Sequence, residues 1–442
     1  MIEHVVRTRR AVLPDGVRAA SVAIADGRIA AIGDLDDSHG CANLTELAAD
    51  EVLLPGLIDI HVHINEPGRT EWEGFRSATR AAAAGGITTL IDMPLNSRPA
   101  TTSVAAFDLK RDVARDRIGI DVGFWGGAVP GNTAQLQPLW EAGVFGFKCF
   151  LGDSGLEEYP YLSAEELREA MIAIAGFGGL LIVHAEDAGV LAQAPAADGR
   201  SYRAFLASHP AEAEAEAIRT VIAAMRETGC RVHALHLAAA AALPLIRAAK
   251  DEGLPLTAET CPHYLTFDAE EIPDGATEYK CCPPLRSHAN RMALWQGLGD
   301  GTIDLIASDH SPSTADLKHL DTGDFGLAWG GIASVQLGPA AVWTQARELG
   351  HSLTDLARWM GSAPAALAGL ADKGRIAVGA AADLTVFAPD QTFTVDRKAL
   401  FHKNPVTPYH GRSLAGVVRA TWLAGSPLDF SSAPRGTELL RH

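Results

Sequence analysis

Residues 54–63 read Leu54-Pro55-Gly56-Leu57-Ile58-Asp59-Ile60-His61-Val62-His63. Pro55-Gly56 punctuates the chain just before an apolar, β-branched run that closes on two histidines one residue apart. Alternate residues of a strand share a face, so both imidazoles point the same way. An open doubly wound sheet would follow its first strand with a glycine-rich phosphate turn; here His-Val-His stands instead. Seven more β-rich apolar runs follow, at 87–93, 120–129, 144–151, 180–185, 232–237, 256–264 and 303–309. Several are apolar on both faces, as strands are when helices cover the sheet.

The segments between the runs read as helices. Residues 211–229 carry apolar positions near 3.6 spacing and end at Gly229, a C-cap. Residues 163–176 open with Ser163 and have Glu166 three positions on, a capping box. The alanine-rich stretch 78–84 reads as a close-packed helix. Eight strands alternating with helices predict an α/β fold, a (β/α)8 TIM barrel over 54–373. Residues 1–53 and 374–442 hold strand patterns joined by turn residues such as Asp26-Gly27. They are expected to combine into a small composite β-sandwich domain built from both chain ends, with a C-terminal tail.

Composition narrows the function. The 442 residues carry 37 Lys+Arg against 54 Asp+Glu, a net charge of −17, which argues against nucleic acid or an anionic membrane as partner. No apolar run reaches the roughly 18 residues a membrane helix needs. Residues 1–16 lack an apolar core with a small-residue cleavage site, so no secretory signal is expected. Six cysteines, Cys41, Cys149, Cys230, Cys261, Cys281 and Cys282, show no CxxC spacing. They read as reduced thiols of a cytoplasmic protein.

Side chains at the C-terminal strand ends of such a barrel form its active face. His61 and His63, Lys148, His184, His236 and Asp309 all fall there. Imidazole and carboxylate are ligands for zinc and similar ions. Lys148 lies among Phe147, Phe150 and Leu151, where an unpaired cation is costly. One reading gives it a distant acid as partner. The other makes its neutral amine add carbon dioxide, giving a carbamate whose oxygens bridge two metals. The inventory then balances, with His61, His63 and Asp309 on one ion, His184 and His236 on the other, and the carbamate across both. His233 alternates to the opposite face and is expected to be no ligand. His263 and His310 are candidate partners behind the ligands. Glu186 and Asp187 could orient ligands or be ordinary loop acids.

These residues resemble the cyclic amidohydrolases, the dihydroorotase–hydantoinase–allantoinase branch of the amidohydrolase superfamily. The resemblance is carried by residues 55–63, by Phe147-Lys148-Cys149-Phe150, by Glu259-Thr260-Cys261-Pro262-His263-Tyr264 and by Ser308-Asp309-His310-Ser311-Pro312. Within the branch, residues 63–75, 92–97, 328–332 and 405–409 are most similar to the allantoinases. The resemblance implies two divalent ions per chain, zinc first, with manganese, cobalt or iron as alternatives. It also implies an N6-carboxylated Lys148, Asp309 as catalytic acid–base, a cyclic ureide substrate and a homo-oligomer, in relatives often a tetramer. Substrate contacts are expected from Asn65, Arg69, Asn96, Cys282, Gly330 and Gly331. Dihydroorotases carry an arginine where Asn65 stands, a fork for a ring carboxylate, so a neutral ring fits better. Hydantoinases place a tyrosine a few residues after the bridging lysine as oxyanion donor. Here none occurs before Tyr159, which leaves that role unnamed. A hydantoinase or dihydropyrimidinase is the nearest alternative. A non-catalytic assembly protein of the same fold is less consistent, because all six ligand positions are filled.

Overall fold

The computed structural model describes residues 1–430 and 433–441. Strands β1 (His4–Leu13), β2 (Gly16–Ala25), β3 (Arg28–Gly33), β4 (Leu44–Glu46) and β5 (Val52–Pro55) open the chain. Short strands then alternate with helices: β6 (Leu57–Val62), β7 (Ile87–Asp92), β8 (Asp121–Phe124), β9 (Gly126–Gly127), β10 (Phe147–Phe150), β11 (Leu180–His184), β12 (Arg231–Ala234), β13 (Leu256–Thr260) and β14 (Leu305–Ile306). Strands β15 (Leu384–Thr394), β16 (Ser413–Leu423) and β17 (Ser426–Pro427) lie near the C-terminus.

The central strands form two parallel arcs, β6-β7-β8 and β9 through β14 in chain order. At one seam Phe145 N–H donates to the Phe124 carbonyl (3.0 Å) and Gly126 N–H to Gly146 (2.8 Å). At the other, Val62 bridges His310 in parallel and His63 N–H donates to the His310 carbonyl (2.8 Å). The run 120–129 is divided at Trp125, whose indole N–H reaches the Ile60 carbonyl at 2.7 Å.

The sixth and eighth runs are shorter than their apolar patterns suggest. The Ser308 N–H donates to the Asp59 carboxylate (3.1 Å to Oδ1), and the His236 N–H to Glu259 Oε1 (3.2 Å). Buried carboxylates thus replace the strand ladder, and the chain bends. His236 and Asp309 take left-handed backbone angles, φ 36° and 44°, so they stand just beyond their strands rather than on them.

Helix formation follows the local signals. The capping box of Ser163 and Glu166 is formed at the start of the helix Ala164–Gly176. The helix Ala211–Thr228 stops at left-handed Gly229, φ 66°. In the helix Phe75–Ala84 the buried Ala78, Ala81, Ala82 and Ala83 allow close approach, and Thr421 Oγ1 reaches the Ala83 carbonyl at 2.6 Å.

Both chain ends join in one hydrogen-bonded sheet of eight strands, ordered β17-β16-β15-β5-β1-β2-β3, with β4 on β1. The ends meet where β5 pairs antiparallel with β15. Val6, Val22, Ile24 and Leu53 share a buried cluster with Ile376, Leu384 and Trp422. Residues 436–441 run back to the parallel strands, with Glu438 bridging Val122 and Arg441 N–H reaching the Gly143 carbonyl.

Candidate metal centre

His63, Lys148, His184, His236 and Asp309 line one cavity of about 520 Å³ at the C-terminal strand ends. His61 sits fully buried behind them, its Nε2 3.1 Å from Asp309 Oδ1, while His63 Nε2 is 3.5 Å from the same oxygen. The His61 and His236 rings are 5.3 Å apart, and those of His184 and His236 4.5 Å. The six residues singled out in the sequence therefore converge.

Buried carboxylates orient these rings. Glu259 Oε1 lies 2.5 Å from His61 Nδ1, so Nδ1 carries the proton and the Nε2 lone pair is free to ligate. Burial opposes charge on Glu259, but His61 and His233 hold its carboxyl at about 2. His233 Nε2 is 3.0 Å from Glu259 Oε2, which makes His233 a brace for Glu259. His184 Nε2 meets Glu186 Oε2 at 2.9 Å, whereas Asp187 caps the next helix through Val190 N–H. The Asn96 amide stands 3.2 Å from His63 Nδ1.

Sequence reasoning assigned no role to Glu259, Asp59 or Glu73. Each is an acid inside or beside an apolar run, and a buried acid requires a partner; that signal was present. Glu73 Oε2 lies 3.2 Å from His310 Nε2, both fully enclosed. His310 Nδ1 accepts from Ser334 N–H (3.0 Å), so the backbone after Asp309 is anchored.

Burial works against charge on Asp309, yet His61 and His63 hold its carboxyl well below the usual carboxylate range. Burial pushes the Lys148 amine down to about 8. Its Nζ faces the Phe150 ring, 4.9 Å from the centroid, and no carboxylate pairs with it among the described residues.

Asn96, Cys282, Gly330 and Gly331 line the cavity; Asn65 and Arg69 do not. Asn65 Nδ2 reaches the Pro312 carbonyl (3.3 Å), and Arg69 pairs with Glu158 (2.7 Å) and the Asn96 carbonyl (3.0 Å). Both brace the wall from behind. Gly331 has φ +123°, and a Cβ there would lie 2.3 Å from the Ser311 carbonyl, a contact only glycine permits. Its N–H donates to Lys280 and its carbonyl accepts from Lys318. Tyr159 is fully buried, its hydroxyl donating to the Lys148 carbonyl at 2.8 Å.

Strands that end on a buried histidine–lysine–aspartate cluster define a hydrolase site, and the chain belongs to the amidohydrolase family, whose model matches residues 52–428. It is 58% identical to the allantoinase of Streptomyces avermitilis, across 100% of this chain and 99% of that one. It is 42% identical to the Arabidopsis thaliana allantoinase, covering 95% and 87% of the two chains. Against the Saccharomyces cerevisiae allantoinase the identity is 46%, covering 88% and 86%. Among solved structures it resembles the L-hydantoinase (dihydropyrimidinase) of Arthrobacter aurescens, with TM-score 0.93, 30% identity and 100% of both chains covered.

The fold is thus α/β of the hydantoinase type with a β-rich domain, and the family implies a divalent metal centre. The residues fit one. His236 Nδ1 is buried without a hydrogen-bond partner, and His61, His63 and Asp309 place donor atoms within 4.8 Å of one another. Imidazole with carboxylate suits borderline divalent ions. Among the described residues no helix is long and apolar enough to cross a membrane.

Proposed function

We propose that this chain is an allantoinase, opening the hydantoin ring of allantoin with water to give allantoate. The observation that carries this reading is full-length identity of 58% to an allantoinase, on a chain with all six ligand positions filled. His61, His63 and Asp309 would hold one divalent ion, His184 and His236 a second, with N6-carboxylated Lys148 between them. Zinc is the first choice; manganese, cobalt and iron suit the same donors. A buried amine lowered to about 8 has a neutral fraction able to add carbon dioxide.

Divalent ions held by these residues would supply Lewis acidity for the attack of water. Asp309 takes the proton of the attacking water and delivers it to the ring nitrogen as the C–N bond breaks. Glu259 and Glu186 fix the His61 and His184 rings, so the ligands need no reorganisation. Asn96, Cys282 and Gly330 face the ring, and the bonds to Lys280 and Lys318 set the Gly331 backbone beside it. Asn65 and Arg69 act by positioning.

The hydantoinase reading rests on the structural similarity to L-hydantoinase. Against it stands Tyr159, whose hydroxyl is committed to the Lys148 carbonyl and so does not serve as an oxyanion donor. A common kcat/KM comparison of allantoin, hydantoin, dihydrouracil and dihydroorotate separates the readings. Allantoin is expected to rank first, and preference for dihydrouracil would favour the alternative.

The two strand arcs are read as a closed (β/α)8 barrel over 54–373. In support, Ile58 and Ile91 of one arc share a buried cluster with Ile182 and Leu305 of the other. The sheet from 1–53 and 374–442 is read as the composite sandwich. A cytoplasmic homotetramer acting on a small ureide completes the proposal.

A further inference from the structure

We propose that Cys261, His263 and Asp309 form an additional, inhibitory cation site that takes thiophilic divalent ions such as cadmium or excess zinc. A sulfur of Cys261, a ring nitrogen of His263 and a carboxylate oxygen of Asp309 lie within 4.8 Å of one another, all buried. Donors around a tetrahedral zinc sit roughly 3.5 Å apart, so modest side-chain rotation closes the set, less for a larger ion.

An independent observation points to a ligand. His263 is 0% exposed and both its ring nitrogens lack a hydrogen-bond partner. Desolvated polar atoms left unpaired are costly, and the turn after β13 fixes the main chain at this residue, the His263 carbonyl accepting from Phe267 N–H at 3.1 Å. Residues 261 and 263 lie on either side of Pro262, so both can face Asp309. An ion reaches the set through the cavity, which Asp309 lines.

Thiol, imidazole and carboxylate together favour softer ions than the sulfur-free set of the main centre. On binding, the Cys261 S–H gives its proton to water and its sulfur donates an electron pair to the ion. One proton is released per ion, and nothing is oxidised. A carboxylate oxygen engaged by this ion cannot accept a water proton, so binding and turnover exclude each other. That consequence rests on the role of Asp309 proposed above; the binding itself does not depend on the substrate.

The test is a cadmium titration of the metal-loaded protein, followed by the ultraviolet thiolate-to-cadmium charge-transfer band and by turnover. The expected result is a saturating band that grows as activity falls. Cys261→Ala should remove the band and keep activity in the same cadmium. Cys282→Ala, which deletes the thiol that lines the cavity, should leave the band. His263→Gln keeps the thiol and guards against a misfolded alanine variant. Losing even a partner behind a ligand costs roughly 10–100-fold in affinity, so at least about a tenfold weaker band is expected. A band that persists in Cys261→Ala, or no band in the parent protein, overturns the site. A band without loss of turnover overturns only the inhibition and leaves the binding site standing.

Discussion

Asp309 is a non-glycine residue held at φ 44°, a conformation that costs about 1–3 kcal/mol and persists only where the surroundings enforce it. They do so through Ser308 on Asp59 and His310 between Glu73 and Ser334. Asp309→Asn keeps this scaffold but removes the proposed proton acceptor. Turnover should fall by about 10²–10⁴-fold with an unchanged melting profile, and near-normal turnover would remove Asp309 from its role. Lys148→Ala should lose bound metal and activity together, with partial recovery on adding short carboxylic acids; full metal retention would contradict the carbamate proposed at Lys148. The residues that converge were legible because polar residues at apolar strand ends have few other uses. Their orienting partners were not, because Glu259 and His61 are 198 positions apart and meet only in the fold.

The elements carry these residues to one face, and their ends are set by side chains as much as by propensity. The capping box at Ser163 and the stop at Gly229 were legible because they are local. The shortening of β12 and β14 was not, because carboxylates from other strands take their N–H groups. Glu214, buried on the helix Ala211–Thr228, performs a similar task. It accepts from Ala238 and Ala239 N–H, both at 2.9 Å, and from Arg286 at 2.7 Å, tying that helix to the loop after His236. Glu214→Ala leaves a buried guanidinium and two N–H groups unpaired. It should cost about 3–5 kcal/mol, read from the denaturant midpoint, and a loss under about 1 kcal/mol would show that the loop is held otherwise.

At the scale of the molecule, Lys373 joins the parallel strands to the terminal sheet, its Nζ 2.8 Å from Asp121 and 2.6 Å from Asp383. Pairing of the two chain ends was legible from their strand patterns; this ionic junction and the return of residues 436–441 were not, because neither leaves a periodic trace. The centre also makes the metal-free chain acid-sensitive. Burial holds His63 at about 3 and His263 at about 4, below the ordinary 6.5. Between those limits the unfolded chain binds more protons, so stability present above pH 6.5 is lost as pH falls. Asp59, raised by burial to about 6, acts in the opposite sense over part of that range, as do the buried carboxyls of Asp92 and Glu214, while His236 and His402, held by burial well below the usual imidazole value, add to the loss. The urea midpoint of chelator-treated protein should therefore fall from pH 6.5 to 4, and a flat profile would refute the buried neutral imidazoles. Restoring an ion at about 1,000 times its Kd should add about 4 kcal/mol. The most direct test of metal-dependent ring opening is allantoate formation from racemic allantoin, measured on chelator-stripped protein before and after divalent ions and bicarbonate are returned. The account predicts no product before and rapid product after, well above that from hydantoin or dihydroorotate. Equal turnover in both states, or none on allantoin with both metal positions filled, would contradict it.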